Sequence, residues 1–293
     1  METRDDIRTA LVLGAGTMGA GIAEVLAKAG IETALYDVSE DLARRGLERI
    51  ASSLARAVEK GKLSAAEADS TRARLRPVSS YDAAEAADLV VEAAPEDLAL
   101  KQRIFRELSA RTERAILATN TSSLPVTAIA AVTRAPGNVI GLHFFNPPPI
   151  MPLVEIVRAE QTTPAVAERA RALVERIGKT PIVVIDSPGF ATSRLGIILG
   201  MEAIRMLEAG VACAEDIDRA MELGYKHPMG PLKLTDLVGL DVRLAIAEHL
   251  SAELGPQFNP PPLLRRLVRA GKLGKKTGEG FYRWEGDRAV PKT

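Results

Sequence analysis

Along the first 186 residues, short apolar runs alternate with longer stretches in which apolar positions recur at helical spacing. The runs "TALVLG" (9–14), "ETALYD" (32–37), "ADLVVEAA" (87–94), "RAILAT" (114–119), "NVIGLHFF" (138–145), "PLVEIV" (152–157) and "TPIVVI" (180–185) read as strands, each short and rich in branched aliphatic residues. Between several of them lie helices with legible ends. Ser39 followed by Glu40 and Asp41 supplies an N-cap and an acidic first turn, and that helix runs toward Gly61. Thr163-Pro164 opens another, and Gly178 lies past its end. Strand–helix–strand alternation of this kind predicts an α/β domain, a mainly parallel sheet with helices on both faces.

From about Pro188 the pattern changes. Residues 188–210, 214–224, 239–255 and 260–271 all read as helices closed by glycine, and only "GFYRW" looks extended. The expected division is therefore an α/β domain over 1–186 and a smaller all-α domain over 187–293, with the join near Asp186-Ser187-Pro188. A chain of 293 residues accommodates two such domains. Aromatic residues make up only 4%, so the cores must be filled by Ala, Leu, Val and Ile.

Charge and cysteine content narrow the function classes. Lys+Arg and Asp+Glu both number 38, so no overall field draws the chain to nucleic acid or to a membrane surface. The N-terminal "METRDDIRTALVLGAG" carries acids and only a short apolar run, unlike a signal peptide, and no apolar stretch approaches the roughly 20 residues that span a bilayer. The single Cys213 excludes an intrachain disulfide and suits a reducing compartment. A cytoplasmic protein is expected, with no nucleic-acid and no membrane partner.

The first strand runs directly into Gly14-x-Gly16-x-x-Gly19, and Thr17 and Met18 stand where the next helix opens. Gly14 permits the tight turn, Gly16 leaves space for a diphosphate against the backbone, and Gly19 lets helix and strand pack closely. The helix N-terminus adds unpaired N–H groups and a partial positive charge. Asp37 ends the second strand, where its carboxylate suits ribose hydroxyls and repels a 2′-phosphate, favouring NAD over NADP. Together these features predict a Rossmann-type nucleotide site. A glycine turn with an aspartate cap is the plainer alternative, and FAD shares the same opening.

In an open parallel sheet ligands bind beyond the carboxyl ends of the strands. Three polar clusters fall there: Glu92, Glu96 and Lys101; Asn120, Thr121, Ser122 and Ser123; and His143 with Asn146. Taken singly, Asn120 and Ser123 are as readily turn-capping residues as ligand contacts. His143 ends a strand ahead of a proline-rich turn, and Glu155 lies on the apolar run that follows. If that run returns beside its predecessor, a carboxylate meets the imidazole, fixes its tautomer and equips it to take the proton of a substrate hydroxyl. An exposed strand carboxylate is the alternative for Glu155. His227 precedes proline in a helix-breaking segment and reads as structural, and His249 as a helix-surface residue. No grouping has metal-ligand spacing, so no metal is expected.

These motifs carry a resemblance. "GAGTMGAGIA", "VVEAAPEDLALK", "NTSSLP", "GLHFFNPPPIMPLVEIV", "DSPGF", "HPMGPLKLTDLVGLD" and "GKLGKKTGEGFY" make the chain similar, over essentially its whole length, to the L-3-hydroxyacyl-CoA dehydrogenases, and among them to the bacterial 3-hydroxybutyryl-CoA type. The resemblance implies NAD-dependent interconversion of an L-3-hydroxyacyl-CoA and its 3-oxoacyl-CoA, with His143 as acid/base and Glu155 as its partner. It implies that Asp37, Glu96, Lys101, Asn146 and Lys276 line the cofactor, that Ser122 touches both cofactor and substrate, and that Ser53 and Lys60 hold the coenzyme A moiety. It implies an acyl-CoA substrate and a homodimer formed through the C-terminal domain. One position departs: the family commonly has asparagine where this chain has Ser193, the side chain thought to contact the substrate's 3-oxygen. Two other readings remain open: a dehydrogenase of a free hydroxy acid, of gulonate or carnitine type, and a nucleotide-binding protein without catalysis.

Overall fold

A computed structural model describes residues 7–292. They form two compact units, one ending at Ser187 and the other beginning at Pro188.

The first unit contains every strand anticipated above and one more. Its elements are β1 (Thr9–Leu13), α1 (Thr17–Lys28), β2 (Glu32–Tyr36), α2 (Glu40–Glu59), α3 (Ala65–Ala73), β3 (Leu75–Val78), β4 (Leu89–Glu92), α4 (Leu98–Ser109), β5 (Ile116–Thr119), α5 (Val126–Ala130), β6 (Val139–Phe144), β7 (Leu153–Arg158), α6 (Pro164–Arg176) and β8 (Thr180–Ile185). The sheet order is β3-β2-β1-β4-β5-β6-β7-β8. All neighbours are parallel except β6 and β7. Central strands β4, β5 and β6 are buried along their whole length, as expected of strands covered on both faces. β3 escapes the periodicity reading because it is a four-residue edge strand containing Pro77, a residue tolerated at a sheet edge.

Capping residues act as their types predict. The Ser39 hydroxyl accepts from the Leu42 N–H at 3.3 Å and Thr163 from Val166 at 3.4 Å. Ser64 and Glu67 form a reciprocal capping box at the start of α3. One aliphatic core joins Val12, Ile22, Leu26, Leu35, Val91, Ala118, Ile140, Leu142 and Ile156, so strands and helix α1 are fixed by packing on both sides of the glycine turn. Each of the Val, Leu and Ile side chains contributes roughly 1.5–3 kcal/mol on full burial.

The second unit contains α7 (Thr192–Glu208), α8 (Ala214–Gly224), α9 (Pro231–Val238), α10 (Leu240–Leu254) and α11 (Pro262–Arg269), and is helical apart from a hairpin of β9 (Arg283–Glu285) and β10 (Arg288–Val290). Helix α9 begins where the segment read as helix-breaking, residues 224–231, ends: Pro231 opens it at a position where proline is tolerated. Its core gathers Ile197, Met201, Ile204, Leu232, Leu240, Leu250 and Tyr282. Two buried aspartates tie it together. Asp236 accepts from the N–H groups of Phe281 and Tyr282 and from the Trp284 indole, at 2.8, 2.9 and 2.9 Å. Asp218 accepts from Leu232 N, Lys233 N and the Tyr282 hydroxyl, at 2.8, 3.0 and 2.7 Å. Burial pushes both carboxyls above the ordinary range against the pull of these donors.

Candidate active site

Because β1, β4, β5 and β6 run parallel, the loops that follow them emerge at one edge of the sheet. After β1, Gly14 takes φ +93° and a Cβ there would lie 2.6 Å from the Ala93 carbonyl oxygen. A Cβ at Gly19 would overlap the carbonyl of Gly14. Gly16 differs, since a Cβ there would meet no protein atom within 4 Å. Gly14 and Gly19 thus serve the turn itself, whereas Gly16 keeps clear the space in front of the α1 N-terminus. Gly16 and Thr17 are exposed and Met18 is half-buried against the core. Asp37 is fastened to this turn, one carboxylate oxygen accepting from the Ala15 N–H at 2.7 Å and the other from Val38 N at 2.7 Å.

After β4 the polar residues divide into a buried layer and a rim. Glu92 and Lys101 are fully buried and 2.6 Å apart, and Glu92 also accepts from Thr119 Oγ1 and Ala94 N. Lys101 therefore presents no surface to a ligand: its ammonium is held by Glu92 and the Ala94 carbonyl, and it approaches the rim only through Glu96, at 3.5 Å. A single oxygen of Glu96 accepts from Thr121 Oγ1, Ser122 N, Ser122 Oγ and Ser123 N, at 2.6, 2.9, 3.2 and 3.3 Å. Glu96 fixes the Ser122 loop. Asn120 accepts from the Phe144 N–H at 2.8 Å and so ties the end of β5 to the end of β6.

His143 and Glu155 are cross-strand partners in the β6–β7 ladder, and His143 Nδ1 lies 2.6 Å from Glu155 Oε2. Glu155 is fully buried and His143 is 7% exposed, with the Phe145 ring tilted against the imidazole at 4.5 Å. Asn146 is exposed just beyond the strand. Lys179, which the motif reading passed over, secures the following turn by donating to the carbonyls of Pro148 and Met151 at 2.6 and 2.7 Å. Burial, with the charge of Lys28, pulls its pKa down.

A second feature of the same unit is a cleft of about 1010 Å³ between α1, α2, the 147–152 turn and the end of α6. Ser53 and the exposed Lys60 line it, together with Lys28, Arg49, Arg56, Lys62, Arg176 and Lys179. Glu24 is the one acid among the described lining residues. Its carboxylate accepts from the Ser53 hydroxyl at 3.1 Å and is 6% exposed, and burial raises its pKa despite that bond and the charges of Lys28 and Arg56. The signal for Glu24 was present in the sequence as an acid inside the apolar run of α1, although nothing there indicated what it faced.

The two remaining residues belong to the second unit. Ser193 stands in the first turn of α7, half-buried. Lys276 is paired with both oxygens of Asp241, at 2.6 and 2.7 Å. Among the described residues no cluster of histidine, cysteine and carboxylate could hold a metal ion, and no helix is long and apolar enough to cross a membrane.

Residues 9–187 match the model of the 3-hydroxyacyl-CoA dehydrogenase NAD binding domain, and residues 189–284 match that of the 3-hydroxyacyl-CoA dehydrogenase C-terminal domain. The chain is 46% identical to a probable 3-hydroxybutyryl-CoA dehydrogenase of Bacillus subtilis, over 96% of this chain and 98% of that one. It is 43% identical to the 3-hydroxyadipyl-CoA dehydrogenase of Escherichia coli, over 97% of this chain and 60% of that protein. The crystal structure of (S)-3-hydroxybutyryl-CoA dehydrogenase from Ralstonia eutropha superposes with a TM-score of 0.92 at 43% identity, covering 96% of this chain and all of that one.

Proposed function

Because the chain belongs to the 3-hydroxyacyl-CoA dehydrogenase family, and is thereby an NAD-dependent oxidoreductase, we propose that it interconverts a short-chain L-3-hydroxyacyl-CoA and its 3-oxoacyl-CoA, using His143 and Glu155 as the acid–base pair. The observation that carries this reading is the 2.6 Å contact between a buried carboxylate and an imidazole on the strand edge shared with the glycine turn.

The residues present fit a dinucleotide. The open space at Gly16, the α1 N-terminus behind it and the Asp37 carboxylate held at the turn are the parts such a ligand requires. NAD bound there supplies the acceptor for the hydride leaving C3. Gly14, Gly16, Thr17, Met18, Gly19, Asp37, Glu96, Ser122 and Asn146 are the first unit's candidates to hold it, and Lys276 the second unit's. Lys101, buried and 3.5 Å from Glu96, is the candidate to orient that carboxylate.

Each proton step falls to the protein. In oxidation His143 takes the proton of the 3-hydroxyl through Nε2, while Glu155 at Nδ1 holds the ring's orientation and stabilises the imidazolium that forms. In reduction the imidazolium returns the proton to the developing alkoxide. Ser122, held by Glu96, and Ser193 are candidates for hydrogen bonds to the substrate oxygen. A serine at position 193 reaches less far than the asparagine common in the family.

The cationic cleft favours a coenzyme A thioester over a free hydroxy acid, since its charge suits phosphates and a small carboxylic acid would leave most of it unused. Exposed Leu223 and Tyr225 support association of two copies through the second unit, and the single exposed Cys213 is compatible with the cytoplasm. Fatty acid or butyrate-type metabolism is the fitting context. NADH oxidation in the presence of acetoacetyl-CoA, set against free acetoacetate, tests the assignment. Turnover of the thioester with a kcat/KM at least about a hundredfold higher is expected, because the remote coenzyme A contacts contribute to transition-state binding. NADH binding without turnover of any 3-oxoacyl-CoA would replace the enzyme with a nucleotide-binding protein.

A further inference from the structure

We propose that Glu24 is a proton-linked determinant of coenzyme A affinity: ionised, it opposes the phosphate-bearing end of the thioester in the α1–α2 cleft, and binding of that end draws a proton onto its carboxyl. This rests on the reading above that the cleft takes the nucleotide end of coenzyme A.

The argument begins with what surrounds the group. Glu24 lies on α1, almost fully buried, and lines the cleft. Its own helix offers Lys28, and α2 with its C-cap offers Ser53, Arg49, Arg56 and Lys60. The turn after α2 adds Lys62, and the end of α6 with the start of β8 adds Arg176 and Lys179. The 147–152 turn contributes only prolines and Ile150. Among the described residues, every other charged side chain on the cleft wall is therefore a cation, and Glu24 is the one group that shares the sign of an incoming phosphate.

Two consequences follow from electrostatics. A phosphate recruits the same cations that now favour the ionised carboxylate, so their support is withdrawn from Glu24 when a ligand binds. The phosphate's own charge adds direct repulsion. Both effects favour the neutral acid, whose pKa burial already raises. For like charges roughly 8 Å apart in a partly solvated site, the penalty is on the order of tenfold in affinity after screening. Ser53 fits the same scheme. Its hydroxyl proton is given to Glu24, so it turns lone pairs toward the cleft while that carboxyl is ionised. Once Glu24 is protonated, the hydroxyl is released to donate to a phosphate.

The test uses adenosine 3′,5′-bisphosphate as the probe, with the intact protein. Calorimetric titration near pH 6, in two buffers of different ionisation enthalpy, counts the protons exchanged on binding. The phosphomonoester, whose second pKa is about 6, exchanges protons in any variant. The difference between wild type and Glu24→Gln isolates the carboxyl, and wild type is expected to take up more, by as much as about one proton. In parallel, KM for acetoacetyl-CoA should rise between about pH 5.5 and 8 by on the order of tenfold more in wild type than in Glu24→Gln, with Glu24→Asp keeping the wild-type slope. Equal proton counts and parallel KM profiles would overturn the role of Glu24 and leave the cleft assignment standing. Failure of both proteins to bind the bisphosphate would remove the cleft assignment and the Glu24 proposal together, even if the thioester is turned over.

Discussion

His143 and Glu155 face each other across the single antiparallel ladder of an otherwise parallel sheet, which sets imidazole Nδ1 2.6 Å from carboxylate Oε2. They stand twelve positions apart in sequence, and most of the residues between form the proline turn to which Lys179 donates. Sheet register therefore sets the distance. A one-residue slip of β7 would turn Glu155 to the other face and bring an apolar neighbour to the ring.

It follows that the carboxylate can be removed without moving the histidine. Glu155→Gln keeps the volume and the ladder but offers an amide where the ring needs an anion. Its kcat should fall by about 10²–10⁴-fold, the range of a disabled acid–base catalyst, and His143→Gln should fall at least as far. Both variants should still bind NADH, as read by fluorescence titration. Near-normal turnover by either would take the pair out of the mechanism.

The glycine turn yields a prediction that separates folding from binding. A methyl at Gly19 collides with the Gly14 carbonyl, and one at Gly14 would meet the Ala93 carbonyl in a left-handed backbone. Alanine at either position should lower Tm. A methyl at Gly16 enters space that no protein atom occupies. Gly16→Ala should keep the wild-type Tm within about 2 °C, a surface-type effect, while NADH Kd rises by more than about tenfold. A Gly16→Ala protein that binds NADH normally would show that the diphosphate does not approach there.

The strands that carry the site were legible because each is a short apolar run ending in polar residues, and three of those ends face one edge whenever the strands run parallel. What stayed hidden were pairings that depend on which helix faces which strand. Lys101, read as a cofactor contact at the start of α4, turns inward to Glu92. Lys276 keeps an ion pair with Asp241, 35 positions away, which spacing does not indicate. β3 was lost because Pro77 breaks the apolar pattern, and α9 because its opening proline reads equally well as a helix breaker.

The Lys101–Glu92 pair should be costly to break and cheap to replace. Lys101→Met leaves a fully buried carboxylate with only Thr119 and Ala94 N as partners and should destabilise the protein by about 3–5 kcal/mol. Adding Glu92→Gln should recover a large part of that loss, because the uncompensated charge is gone. Urea denaturation of the single and double variants measures both. If the double variant is no more stable than Lys101→Met, the ion pair is holding geometry beyond its own charge.

The buried aspartates of the second unit give a pH dependence whose sign is opposite to that of a surface ion pair. Burial raises the pKa of Asp236 in the folded state, so the folded protein holds that proton more tightly than the unfolded chain does. Its contribution to stability is then complete below the unfolded value of about 3.9 and is lost as pH rises through the raised one. Asp236→Asn removes this titration, and it also breaks the set of three donors from Phe281, Tyr282 and Trp284. The variant should be less stable than wild type throughout. In urea unfolding at a series of pH values, the gap should be widest near about pH 4 and should narrow toward neutrality. A gap that widens with pH would mean that those donors outweigh burial and hold the carboxyl ionised.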